Sequence, residues 1–412
     1  MTKKRKLPRD WESIRLGDHA IKIGSGVTPR GGQKVYQSSG IPFIRSQNVH
    51  LNRFERDGIA HISTEIDDGM SNSRVEQGDV LLNITGASIG RVCVVPDELC
   101  PANVNQHVSI IRSNGSFEPQ FLSYYLSSPS FQKFIQDSQV GATRQALTRA
   151  MIEDFEIPLP PSIEEQRRIV AVLGEKLAAV AQARQAASAQ LEAAQALTAA
   201  YLRAIFDTPQ VKKWPRKRLG DGSELLPAKS IALDGDVQVN TITSACLSET
   251  GFQADGIKPG RMWSTYVDEC YVSPGEILIA RSNTAELVGR VSLYEGKPEN
   301  IVASDLTIRI WPSKEDFEPQ YLTYYLSFLF LSGYWRDKAG GSSQSMKKIR
   351  RGQILDLEIP LLSSQIEQEN VAVWLNGKIM AVRKIETKLQ KQLQEIEAMP
   401  TAYLRQAFNG QL

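Results

Sequence analysis

The chain has little of what marks several common classes of protein. Among 412 residues there are only four cysteines, Cys93, Cys100, Cys246 and Cys270. None forms a CxxC pair and none neighbours a histidine, so neither a disulfide framework nor a zinc site is indicated; they read as buried or incidental thiols. No apolar run approaches the ~18–20 residues of a membrane span. The basic start MTKKRKLPRDW leads into no apolar stretch, so no signal peptide is expected and the cytoplasm is the expected location. Net charge is only +2, which supplies no general attraction for a polyanion. Splitting the chain does not change this, since residues 1–160 carry 18 basic and 17 acidic side chains and residues 207–358 carry 19 and 20.

Catalytic signatures are missing too. There is no GxxxxGK[ST] phosphate loop, no HExxH, no GxSxG, and no GxGxxG after a strand. Gly86-Ala-Ser-Ile-Gly90 and Val288-Gly289-Arg290 resemble phosphate-cradling glycines only loosely and read as tight turns between strands. Pro160-Pro161 lacks the preceding Asn or Asp of the amino-methyltransferase signature. His19, His50, His61 and His107 are scattered and read as structural. A binding protein is therefore favoured over an enzyme.

What is present is a balance of 42% hydrophobic and 23% charged residues, which permits real cores, and a length that implies two or three domains at ~150 residues each. Charge is clustered at Lys3, Lys4, Arg5 and Lys6, at Lys212, Lys213, Arg216, Lys217 and Arg218, and at Lys347, Lys348, Arg350 and Arg351. Such runs are usually solvated faces, though they permit phosphate contact.

The chain is written twice. Trp11-Glu-Ser-Ile-Arg-Leu16-Gly17-Asp18 returns as Trp214-Pro-Arg-Lys-Arg-Leu219-Gly220-Asp221, 203 residues on. The block from Phe117-Glu-Pro-Gln to Ser127 returns at Phe317-Glu-Pro-Gln to Ser327, and Phe155-Glu-Ile-Pro158-Leu159 at Leu357-Glu-Ile-Pro360-Leu361. Tyr201 to Phe206 returns at Tyr403 to Phe408, offset by 202. Each half is thus a body followed by a tail. The bodies read as mixed, with strands around Val80–Leu82, Val92–Val95, Val108–Ile111, Ile277–Ile279 and Leu306–Ile310. Helices open at the two FEPQ blocks, where proline suits the first turn. Tyr124, Tyr125 and Leu126 read as core packing rather than a base-stacking stripe.

The tails read as long helices. From Ile163 to Phe206 there is no proline and one glycine, and Ala, Glu, Gln and Leu abound. A 4-3 stripe runs Leu173, Leu177, Val180, Arg184, Ala187, Leu191, Ala194, Thr198, Tyr201, Ile205, and recurs 202 residues on from Leu375 to Ala407. One helix cannot bury such a stripe alone, so the tails are expected to pair antiparallel as a coiled coil. Pro400 is expected to bend or end the second. Connectivity then places the bodies at opposite ends of a rod of roughly 66 Å, related by a pseudo-two-fold axis, with the C-terminus back beside body one. Aligned end to end, Arg184 and Glu386 meet as a charge pair within the stripe; the alternative is that each snorkels to solvent. The fold expected is α+β, with residues 1–157 and 207–356 as the bodies and 158–206 and 357–412 as helical spacers. Two similar, non-identical bodies suit two half-sites on duplex DNA; a scaffold gripping protein partners is the alternative.

The motifs resemble those of the DNA-specificity subunit of type I restriction–modification enzymes. They are Trp11 to Asp18, Ile41-Pro42-Phe43-Ile44-Arg45, Gly78-Asp79-Val80-Leu81, Ile89-Gly90-Arg91, Asn105-Gln106, and Ile157-Pro158-Leu159-Pro160-Pro161 running into Glu165-Gln166-Arg167-Arg168-Ile169-Val170. Arg281-Ser282-Asn283-Thr284, Val288-Gly289-Arg290 and Ile359-Pro360-Leu361 to Glu367-Gln368 match in the second half, which departs at Leu361-Leu362 and Asn370. The resemblance implies two target-recognition domains reading a bipartite double-stranded DNA site, and helices that set the gap and dock two modification subunits. It implies no cofactor in this chain: S-adenosylmethionine would sit on the modification subunits, and ATP and Mg on restriction subunits. Polar and basic residues in Gly/Ser-rich loops are the expected DNA contacts, because they reach base edges and phosphates. These are Arg30, Arg45, Gln47, Asn48, Arg144 and Gln145 in body one, and Arg281, Asn283, Gln344, Lys347 and Lys348 in body two.

Overall fold

The computed structural model describes residues 7–138, 146–248, 250–343 and 346–412, with backbone alone at 342 and 343. Two compact units emerge, Met1–Ala186 with Leu393–Leu412, and Ala187–Gln392. Their boundaries fall inside two long helices, Ile163–Phe206 and Gln365–Ala407. Each unit thus holds one body and a stretch of both helices. The α+β class and the two helical tails agree with expectation.

In the first unit, strands Ala20–Ser25, Val108–Ser113, Val80–Asn83 and Val92–Val94 form an antiparallel sheet in that order. A second sheet runs Ala60–Ile62, Ile41–Ile44, Ala102–Val104, Arg74–Val75, with one parallel pair. Val80-Leu-Leu-Asn is buried throughout because both its faces are covered. Alternation decides which face: Val80 and Leu82 join a core with Phe121, Leu122 and Tyr125, whereas Leu81 joins one with Ile44, Val104 and Ile110. Gly78 makes the preceding turn at φ +79°, a conformation costly for any residue with a Cβ. Asp79 follows it, fully buried, and accepts from Arg112 Nε and Nη2 at 2.7 and 2.8 Å.

The second unit repeats this plan. Ser223–Leu226, Thr307–Pro312, Ile277–Ala280 and Val291–Leu293 form the antiparallel sheet, and Ile277 and Ile279 face one core while Leu278 and Ala280 face another. Gly275 turns at φ +95°, and buried Glu276 pairs with buried Arg309 at 2.8 Å. A three-stranded sheet of Ser282–Asn283, Met346–Lys348 and Gly340–Ser343 is added. Both FEPQ helices, Pro119–Leu126 and Pro319–Leu331, carry proline in the first turn. Tyr124 and Tyr125 are buried in the core.

The stripe residues Leu173, Val180, Ala187 and Ala194 of the first long helix are buried, as are Leu375, Ile379, Val382 and Ile396 of the second. In the first unit the helices run antiparallel: Arg168 Nη2 donates to Leu412 O at 2.9 Å, Lys176 Nζ lies 4.8 Å from the Tyr403 ring, and Arg184 Nε meets Glu397 Oε1 at 3.3 Å. The Arg184 partner is therefore eleven residues beyond Glu386, the position that end-to-end alignment gives. Glu386 belongs to the other unit. The register slides because Leu404, Ala407 and Phe408 are held in the body-one core. Arg184 is 63% exposed, so no charge is buried there. Pro400 lies within the second helix, which continues to Ala407; the expected termination does not occur.

Candidate nucleic-acid interface

Where strand Val80–Asn83 ends, its last residue ties down a neighbouring loop. Asn83 is buried and its Nδ2 donates to the Ser46 and Val49 carbonyls at 2.8 and 3.3 Å. The chain continues through Ile84, whose N–H bonds His107 O and whose carbonyl accepts from Leu147 N. Thr85 bridges Ala146, and a turn at Gly86–Ser88 follows. Gly86 adopts φ +71° with open space where a side chain would stand. Together these segments surround a cleft of about 400 Å³ lined by Ser46, Gln47, Thr85, Gly86, Ala87, Ser88, Arg91 and His107. The described lining bears an arginine, a histidine, hydroxyls and an amide, and no carboxylate. That is a surface for hydrogen-bonding an anionic or amphiphilic partner.

The second unit has the same construction. Arg281 N donates to Leu306 O at 2.8 Å and Ile349 N donates to Arg281 O at 2.9 Å, the backbone bonds that Ile84 makes in body one. Ser282 then corresponds to Thr85, Asn283 to Gly86, and Leu306 to His107. A cleft of about 310 Å³ lies here, lined by Thr241, Ser244, Ser282, Asn283, Thr284, Leu306, Thr307 and Met346 among others. Hydroxyls persist at Ser46 and Ser244 and at Thr85 and Ser282, while the other groups diverge. A larger hollow of about 590 Å³, lined by Gln238, Asn240, Arg261 and Tyr271, lies over strand Val237–Thr241. Recurrence in both halves favours the smaller pair as the working sites.

The expected contact residues fall into distinct environments. Gln47 is exposed at the body-one cleft, and Arg30 is exposed beside the Gly31 turn. Arg45 is half-buried, with its guanidinium carbon 5.5 Å from the Tyr36 ring centre and an Nη2 bond to the Gly58 carbonyl. Asn48 is fully buried: its Oδ1 accepts from Arg45 N at 3.0 Å and its Nδ2 donates to Glu55 O at 3.0 Å. It shapes the loop that presents Gln47. In body two, Asn283 Nδ2 donates to Ser244 Oγ at 2.7 Å, and Asn283 and Lys347 are strand partners, as are Ser282 and Lys348. Arg281 donates through Nη1 to Asp305 O at 3.1 Å and is half-buried. Arg144, Gln145 and Gln344 lie outside the described residues, as does the Lys3 to Lys6 run.

The basic run at 212–218 is largely engaged: Lys217 pairs with Asp316, Arg218 with Asp356, and Arg216 Nη1 bonds Glu358 O. Thr85, Arg91 and His107 were not among the expected residues. Thr85 and Arg91 stand at the two ends of the turn between strands Val80–Asn83 and Val92–Val94, and His107 comes from a separate segment. Gly86 to Gly90 is a turn, as read, yet that turn walls the cleft. At Gly289 the glycine is required by φ +86° and by Trp335, whose Cδ1 would lie 2.2 Å from a Cβ. Among the described residues no cluster of His, Cys, Asp or Glu could hold a metal, and no helix is long and apolar enough to cross a membrane.

Residues 8–191 match the family described as type I restriction modification DNA specificity domain. The type I restriction enzyme EcoBI specificity subunit of Escherichia coli is 31% identical over 170 residues, 40% of this chain and 34% of that protein. A putative type I restriction enzyme specificity subunit of Haemophilus influenzae is 24% identical over 63% of this chain and 65% of its own length. The matched segment thus spans about one third of the Escherichia coli relative. In fold, the chain is similar to one solved for complex assembly and conformational transition of the type I R-M system, with TM-score 0.75, 19% identity, and coverage of 99% of this chain and 100% of that one. It is also similar to the HsdS subunit from Thermoanaerobacter tengcongensis, with TM-score 0.61, 19% identity and 99% coverage of each.

Proposed function

We infer that this chain, whose residues 8–191 match the type I restriction modification DNA specificity domain, is a sequence-specificity subunit of that family and reads a bipartite site on double-stranded DNA. The observation that carries this reading is one cleft built twice on the same backbone bonds, with hydroxyls kept and the remaining lining changed. Identical targets would call for identical linings; two different half-sites call for two different ones. Residues 1–157 and 207–356 are the two readers. Segments 158–206 and 357–412 hold them and dock two modification subunits, with restriction subunits joining that assembly. The chain itself is non-catalytic in this reading. S-adenosylmethionine belongs to the modification subunits, and ATP and Mg to the restriction subunits.

The test is an exchange. Residues 207–356 are replaced by those of a relative, and adenine methylation is mapped across the genome of a host expressing the assembly. One half of the methylated sequence should change while the other half and the gap stay. If both halves change together, independent reading fails. If no two-part methylated sequence exists with the original chain, a protein-binding scaffold becomes the better reading.

A further inference from the structure

A line of hydrogen bonds runs along one wall of the body-one cleft. The Thr28 hydroxyl donates to Gln106 Oε1, and Gln106 Nε2 lies 2.9 Å from His107 Nε2. An amide nitrogen can only donate, so His107 Nε2 accepts, and the neutral ring carries its proton on Nδ1. That Nδ1 lies 2.6 Å from Thr85 Oγ1. The ring N–H therefore occupies a lone pair of the Thr85 oxygen and turns the hydroxyl proton away from the imidazole. Thr85 lines the cleft, and its backbone is fixed by the bridge to Ala146. In body two the same place holds Ser282 with Leu306, which offers no ring nitrogen to direct a hydroxyl.

We propose that Thr85, aimed by His107, is a directed hydrogen-bond donor that reads an acceptor atom on a base edge. This rests on the DNA-reading function above and assigns one of its contacts. The major groove offers suitable acceptors at purine N7, guanine O6 and thymine O4. Thr85 touches the base, and His107 is a positioning residue that acts through it. Gln106 and Thr28 set the ring's tautomer from behind. A hydroxyl free to rotate is donor or acceptor by turns and discriminates weakly. With the ring N–H on one of its two lone pairs, the Thr85 hydroxyl cannot spend its proton on the imidazole and keeps it for an acceptor on the base, so a base that presents an acceptor there is preferred.

Selection of the full-length chain against a pool of randomised DNA duplexes tests this, with enriched base frequencies read at each position. Thr85→Val and His107→Leu should each lower the preference at one base pair of the body-one half by about threefold to tenfold. The body-two half should not change. Thr85→Ser keeps the hydroxyl and His107→Asn keeps an N–H near the place of Nδ1, so both should retain the preference. Imidazole nitrogen NMR should find the His107 proton on Nδ1. An unchanged sequence for Thr85→Val, a uniform loss of affinity over all sequences, or a proton on Nε2 would overturn the proposal. So would a loss with Thr85→Val that His107→Leu does not share. Failure of the unaltered chain to enrich any two-part sequence would instead sink the functional reading on which this one rests.

Discussion

Phe408 closes edge-on against Phe121, with ring centroids 5.4 Å apart, and against Tyr125 at 5.2 Å. Phe206, its repeat counterpart, meets Tyr321 at 5.5 Å and Tyr325 at 5.4 Å. The second helix therefore ends in the core of body one, and the first in that of body two. Each body is completed by the helix of the other half of the sequence. Phe408→Ala should destabilise the first unit by about 3–5 kcal/mol through lost burial and a cavity. Urea unfolding followed by a probe in body one measures it, and a loss below about 1 kcal/mol would mean that the ring is not part of that core.

Arg309 and Glu276 are buried together, and the guanidinium also donates to the carbonyls of Pro227, Glu269 and Tyr271. Arg309→Met leaves a carboxylate without its partner and should cost about 3–5 kcal/mol. Adding Glu276→Leu should recover part of that loss, since the stranded charge is gone while three carbonyls remain short of a donor. A double variant no more stable than Arg309→Met alone would show that the carbonyl bonds dominate.

Burial pushes the Cys93 thiol up to about 12 and the Cys100 thiol, with nearby Asp79 and Asp97 adding to the effect, up to about 11. The thiolate is the reactive form, so both should resist iodoacetamide at pH 8 while the chain is folded and react once it is unfolded. The linkage has a definite sign. Above the unfolded thiol value of ~8.5 the unfolded chain binds fewer protons than the native one, so stability falls as pH rises. Rapid alkylation of native Cys93 would contradict its burial.

The Arg184–Glu397 contact is exposed on both sides, at 63% and 49%. Such pairs contribute about 0–1 kcal/mol. Arg184→Glu should therefore cost little, and adding Glu397→Arg should restore no more than about 0.5 kcal/mol in a double-mutant cycle. A coupling well above 1 kcal/mol would mean that this contact sets the helix register in place of the docked helix end.

The duplication, the two long helices and the core strands were legible in the sequence, because each rests on local periodicity. A residue two places along a strand, or three to four along a helix, shares a face whatever the rest of the chain does. That is why the strands around Val80–Leu82 and Ile277–Ile279 were readable. Tertiary structure decided what depends on two distant segments at once. Pairing of the helices followed from the stripes, yet their register depended on how deeply Phe408 enters body one, which no heptad pattern encodes. Asn48 looked like an available polar loop residue, and the folded loop consumed its amide in backbone bonds. The cleft itself joins Ser46, Thr85 and His107 from three separate stretches of chain. Sequence determines which residues can donate, accept or pack; only the crossing of strands determines which of them meet.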